Sequence, residues 1–70
     1  MQALSKATLG ETYTIQWMFG QPEVLDFLRE HHVEEGDNIQ IIRKLKDALI
    51  VGVKGSRFAM GNEIADRIQV

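Results

Sequence analysis

Asn38-Ile39-Gln40-Ile41-Ile42-Arg43-Lys44-Leu45, then Leu49-Ile50-Val51-Gly52-Val53-Lys54, then Arg57-Phe58-Ala59-Met60 decide the fold, because three extended runs follow one another with only tight reversals between them. The first run alternates apolar and polar residues until Ile41-Ile42 and then changes parity, as a β-bulge would make it do. Lys46-Asp47 reads as a tight reversal. In the second run Leu49, Val51 and Val53 alternate with Ile50, Gly52 and Lys54, the period of two expected of a strand with one buried face. Gly55-Ser56 suits a two-residue hairpin with positive φ at the glycine, and Arg57 to Met60 returns as the third strand.

Upstream of these runs, Thr12-Tyr13-Thr14-Ile15-Gln16-Trp17-Met18-Phe19 also has period two. Tyr13, Ile15, Trp17 and Phe19 share one parity, which predicts one strand with those four residues turned to the core. Leu9-Gly10-Glu11 before it reads as a turn. After Gly20 the period switches. Pro22 suits a first helical position, Glu23 favours the dipole, and Val24, Leu25, Phe27 and Leu28 form an apolar stripe, so a helix is expected from Pro22 to His31. Glu34-Glu35-Gly36-Asp37 reads as a turn. Beyond Met60, Asn62 is the expected N-cap of a short helical turn, and Arg67 to Val70 a closing strand. The reading is therefore mainly β: about five strands rolled into one small barrel, with one inserted α-helix and a short helical turn before the last strand, in a single domain over residues 1–70.

Composition narrows the function. The chain has 70 residues, no cysteine and a net charge of −2. A chain this short has room for one core. Without cysteine there is no disulfide framework, thiolate metal site or thiol nucleophile, which fits a reducing cytoplasm. No apolar run approaches the ~20 residues that span a bilayer, so a cytoplasmic protein not inserted in the membrane is expected. Ser5 and Ser56 stand in no nucleophile motif, the glycines form no phosphate-binding pattern, and the carboxylates of Glu34, Glu35 and Asp37 lie in a polar turn, where nothing would tune them for acid–base work. The expectation is a binding protein with no cofactor and no enzymatic activity.

Charge is unevenly placed. Residues 21–40 carry six acids against one arginine, and residues 41–60 carry Arg43, Lys44, Lys46, Lys54 and Arg57 against Asp47, giving local charges of −5 and +4. Opposed patches orient a protein against a partner; the competing reading is a solvated surface whose charges happen to segregate. A pI near 5.5 and the acidic stretch argue against nucleic acid. His31 and His32 are the sole candidates for metal ligands. Adjacent helical residues point about 100° apart and do not chelate one ion as an i, i+4 pair does, so no metal site is assigned to them.

Taken in order, Leu4-Ser5, Leu9-Gly10-Glu11, the helix with Leu25 and Leu28, Glu35-Gly36-Asp37, Ile39 to Arg43, Leu49 to Gly55, Phe58-Ala59-Met60 and the closing Ala65, Ile68 and Val70 resemble the FeoA family over essentially the whole chain. The resemblance implies an SH3-like small β-barrel and a cytoplasmic accessory role in bacterial ferrous iron uptake, exercised by protein–protein contact with the GTPase-containing membrane transporter FeoB. Such a protein carries no transport path itself, and a monomer or weak homodimer is expected. Three places depart from the family pattern. A Leu-Gly-Leu helix end is here His31-His32-Val33, a proline before the turn glycine is Glu35, and a Gly-Asp-Pro-like turn is shortened to Lys46-Asp47-Ala48. Arg43, Lys44 and Lys46 on one loop, and Glu34, Glu35 and Asp37 on the other, are accordingly the candidate partner contacts. The alternative is an SH3-like interaction or regulatory module of another pathway, such as an accessory domain of a metal-dependent repressor.

Overall fold

The computed structural model describes residues 1–70. Three strands, β3 (Asn38–Lys44), β4 (Ala48–Val53) and β5 (Ser56–Gly61), form an antiparallel meander as the sequence predicts. The register slips between Ile41 and Arg43, where Ile42 and Arg43 together oppose Ile50. This is the expected bulge. It lets Ile39 and Ile41 point inward before it and turns the basic end of β3 to solvent after it. The reversal at Lys46-Asp47 is closed by the Leu45 amide donating to the Ala48 carbonyl at 2.8 Å.

The second hairpin turns one residue earlier than predicted. Val53 pairs with Ser56, so the two turn residues are Lys54 and Gly55, with φ of +50° and +82°. Both are positive, the signature of the turn whose twist matches that of the flanking strands. The sequence reading required positive φ at the glycine alone and therefore placed it first in the turn.

The strand expected over residues 12–19 is two strands in two sheets. β1 (Thr12–Thr14) pairs with β3, whereas β2 (Trp17–Met18) pairs with β6 (Ile68–Gln69). At the corner, the Ile15 amide donates to the Asp37 carbonyl, the Ile15 carbonyl accepts from the Gly36 amide, and the Gln16 amide donates to the Gln69 carbonyl, all at 2.8 Å. Changing partner here resets the alternation. Ile15 is buried and Tyr13 packs on the core, but Met18, opposite buried Ile68, turns inward next. Trp17 and Phe19 are 52% and 39% exposed, so the expectation that they are core residues fails.

Helix α1 (Pro22–Glu30) begins with proline in its first turn as expected and stops one residue earlier. Its end is a Schellman motif. The His32 amide donates to the Arg29 carbonyl and the Val33 amide to the Leu28 carbonyl, with His32 left-handed at φ +64°. Val33 and Leu28, the apolar pair that accompanies this motif, are both fully buried. His32 thus occupies the position where the family pattern has glycine. After β5 comes a short helix, α2 (Asn62–Ala65), whose N-cap is Gly61; Asn62 is already helical, and its Oδ1 is buried without a partner.

The first residues add an element the sequence did not suggest, a 3-10 turn at Leu4–Lys6. Leu4 and Ala7 are buried, and Gln2 and Val70 exchange backbone hydrogen bonds, which clips the two ends of the chain together. Thirteen apolar residues from both sheets, α1, α2 and this turn make one core with no buried polar residue. Hydrogen bonding links β1-β3-β4-β5 in one sheet and β2-β6 in another, so the barrel surrounds one core without closing. No helix is long and apolar enough to cross a membrane.

His32→Gly relieves a left-handed penalty of about 1–2 kcal/mol against a glycine entropy cost of about 0.5–1 kcal/mol. It is expected to raise the unfolding free energy in urea by about 0.5–1 kcal/mol, whereas Gly55→Ala, at φ +82°, lowers it by about 1 kcal/mol. Trp17→Ala is expected to cost under about 1 kcal/mol, against about 2–5 kcal/mol for Leu28→Ala, because only the second opens a cavity.

Candidate functional site

The candidate contact residues fall at opposite ends of β3. Asp37 precedes its first residue, and Arg43 and Lys44 form its end, so with a rise of ~3.3 Å per residue the acidic turn and the basic loop stand about 20 Å apart. They do not make one site.

At the basic end Arg43, Lys44 and Lys46 are all exposed and none is within ion-pair distance of a carboxylate. Leu45, 42% exposed, sits among them. Sequence reading missed it, although an apolar residue immediately before a polar two-residue reversal has no strand neighbours to cover it. The loop is held firmly on both sides: the Leu45 amide is bonded to Ala48, and the Asp47 carbonyl accepts from the Asn62 amide at 2.9 Å. Three cations around one leucine are thus presented on a backbone fixed to the sheet and to α2. That is a preorganised surface.

The acidic end is partly used inside the molecule. Asp37 Oδ2 lies 3.5 Å from Lys54 Nζ across the mouth of the β4–β5 hairpin. Glu35 Oε2 accepts from the Met18 amide at 3.3 Å. Of the three acids expected to face a partner, Glu34 alone has no partner within the chain. Likewise the five cations of residues 41–60 do not form one patch, because the antiparallel β4 carries the chain back and puts Lys54 and Arg57 at the far end from Arg43.

His31 and His32 separate. The His31 ring stacks on Phe58 of β5, centroids 4.3 Å apart and planes 20° apart, and lies 4.7 Å from the Phe27 ring. It fastens the last turn of α1 to the sheet. His32 is exposed and serves the helix end through its backbone. No group of three histidine, aspartate or glutamate side chains is gathered as a metal would require. Elsewhere on the surface, Trp17 and Phe19 form an exposed aromatic pair 5.1 Å apart.

These features define a small, mainly β domain of SH3-like type that presents fixed charged and aromatic surfaces. The family model of the FeoA domain matches residues 2–70, and the chain belongs to that family, a family of small accessory domains of ferrous iron transport. A crystal structure of an iron uptake regulatory protein (FeoA) is 25% identical, with a TM-score of 0.87 over 94% of this chain and 89% of that one. The solution structure of FeoA from Chlorobium tepidum is 20% identical, with a TM-score of 0.89 over 97% of this chain and 67% of that one. A manganese-dependent transcriptional repressor in complex with manganese has a TM-score of 0.90 at 15% identity. Here 96% of this chain corresponds to 34% of the repressor, a likeness of fold alone. No curated protein sequence matches the chain.

His31→Ala is expected to lower stability by about 1 kcal/mol through loss of the ring contact. A double-mutant cycle with Phe58→Ala, read by chemical denaturation, should return a coupling of about 0.5–1.5 kcal/mol; additive single-mutant costs would show that the stacked rings contribute nothing beyond their separate burial.

Proposed function

We propose that this protein is a cytoplasmic regulator of bacterial ferrous iron uptake that acts by docking on the cytoplasmic side of a FeoB-like, GTPase-containing transporter. The observation that carries this reading, beyond family membership, is the basic loop. Arg43, Lys44 and Lys46 surround exposed Leu45 on a backbone bonded to β4 and α2, and none of the three cations is neutralised within the chain. Such a surface suits a partner with an acidic rim and a small apolar centre. The protein binds rather than turns over a substrate, works as a monomer or weak homodimer, and is drawn to the inner face of the membrane through the transporter. Once docked, it modulates the assembly or nucleotide hydrolysis of that partner.

Glu34, Glu35 and Asp37 are the second candidate surface, less favoured than the basic loop because Glu35 and Asp37 already bond within the chain. The alternative role, as a module of another pathway, rests on the likeness of fold to metal-dependent repressors.

Reversal of charge in Arg43→Glu/Lys44→Glu/Lys46→Glu should weaken binding to the cytoplasmic part of the transporter, measured by interferometry, by at least about tenfold at physiological salt. Leu45→Ser should weaken it at all salt concentrations, since an apolar contact is not screened. Unchanged affinity in both variants would reject the loop as the interface.

A further inference from the structure

The outer face of the four-stranded sheet holds a polar trough of about 350 Å³ at the end opposite the basic loop. Its floor follows directly from the register. Thr12 faces Gln40, Gln40 faces Gly52, and Gly52 faces Arg57, so one row of paired positions crosses all four strands on the same face. Glycine in the middle of that row leaves the hollow. Ile42, the bulge residue, leans over it from one side, with its Cδ1 3.0 Å from where a Cβ on Gly52 would stand, and it is the only apolar side chain of the lining.

The chemistry of the walls is one-sided. Arg57 and Lys54 bring cations, Thr12 and Ser56 hydroxyls, and Asn38 and Gln40 amides. The Asn38 Oδ1 is engaged by the Thr14 hydroxyl at 3.1 Å, which leaves its NH₂ group as the part of the amide free to bond elsewhere. Lys54 is balanced by Asp37 at 3.5 Å, so Arg57, exposed and without an ion-pair partner, is the one uncompensated charge. A site with one free guanidinium and a surround of donors is matched to a single negative charge on a planar, two-oxygen group. The absence of any aromatic in the lining removes base stacking, and the absence of a free carboxylate removes a cation as ligand.

We infer that this trough is a carboxylate-binding site, in which Arg57 forks the two oxygens and the Thr12 and Ser56 hydroxyls and the Asn38 NH₂ group supply further donors, the Gln40 NH₂ being engaged by the Gly10 carbonyl at 3.4 Å. The carboxylate belongs either to a small free acid or to an acidic side chain of a partner, and the shared chemistry is the same. The site centres on the Gln40–Gly52–Arg57 row, three residues of β3 from Arg43, and shares no lining residue with the basic loop, so it stands whether or not that loop meets the transporter.

The test is a titration of the whole ¹⁵N-labelled protein at constant ionic strength with sodium acetate, with the capped peptide acetyl-Gly-Glu-Gly-amide, and with inorganic phosphate. Saturable shifts of the Gln40, Gly52, Gly55 and Arg57 amides with acetate assign the site to free carboxylates, and with the peptide alone to acidic side chains; either supports the proposal. Arg57→Gln should weaken that binding by at least about tenfold, Arg57→Lys by less, and Arg43→Gln not at all. Phosphate binding as tightly as the carboxylates, shifts that fail to saturate, or affinity unchanged in Arg57→Gln overturns it.

Discussion

Two hydrogen bonds, the Ile15 amide to the Asp37 carbonyl and the Gly36 amide to the Ile15 carbonyl, each 2.8 Å long, set the course of the whole chain. Through them the chain leaves one sheet and, at Gln16, enters the other. Because side chains alternate with period two, a change of partner at one residue decides which face every later residue takes. Met18 therefore enters the core while Trp17 and Phe19 face solvent. The same bonds hold the Glu34–Asp37 turn beside the first sheet and so fix where β3 begins. Asp37 reaches Lys54 only because its backbone is tied there.

This corner also marks the boundary of what the sequence discloses. Elements whose partners are adjacent in the chain are legible: the bulge at Ile42, the reversal at Lys46-Asp47, the alternation of Leu49, Val51 and Val53, and the proline-started helix all follow from local pattern. The division of residues 12–19 is not local. Tyr13 to Phe19 would alternate equally well in one strand, and only the distant partners Asp37 and Gln69 break it. Met18, which interrupts the polar parity, was the sole local sign. Leu4 and Ala7 carry too little pattern to betray a buried turn, because their burial depends on the chain ends meeting at Val70.

His32 shows a different kind of illegibility. In the resemblance, glycine at the helix end is a conformational requirement, and its replacement by histidine reads as a change of surface chemistry. The structure keeps the conformation and the two capping bonds, so the requirement persists and the side chain bears it at a cost in backbone strain. The neighbouring His31 is a packing residue against Phe58. Two adjacent histidines that look alike in sequence thus have unrelated physical roles, one steric at the backbone and one aromatic at the side chain, and neither role requires metal ligation.

Charge counted along the chain is a poor guide to charge in space when strands are antiparallel. The basic segment of residues 41–60 spans a full out-and-back excursion, so Arg43, Lys44 and Lys46 stand at one end and Lys54 and Arg57 at the other. Arg57 is level with Gln40, about 10 Å from Arg43 along β3 and two strand spacings across, about 14 Å in all, which is beyond the ~8 Å screening length of physiological salt. Charges in the two places are therefore largely screened from each other through solvent. The sequence suggests one dipolar molecule turned by a single field, whereas the folded chain divides its basic residues between two separate places. The proposed loop contact and the proposed acid site share no residue, so occupation of one leaves the side chains of the other exposed. The two proposed attachments thus draw on separate surfaces of one small core, an arrangement suited to an accessory domain that joins one component to another.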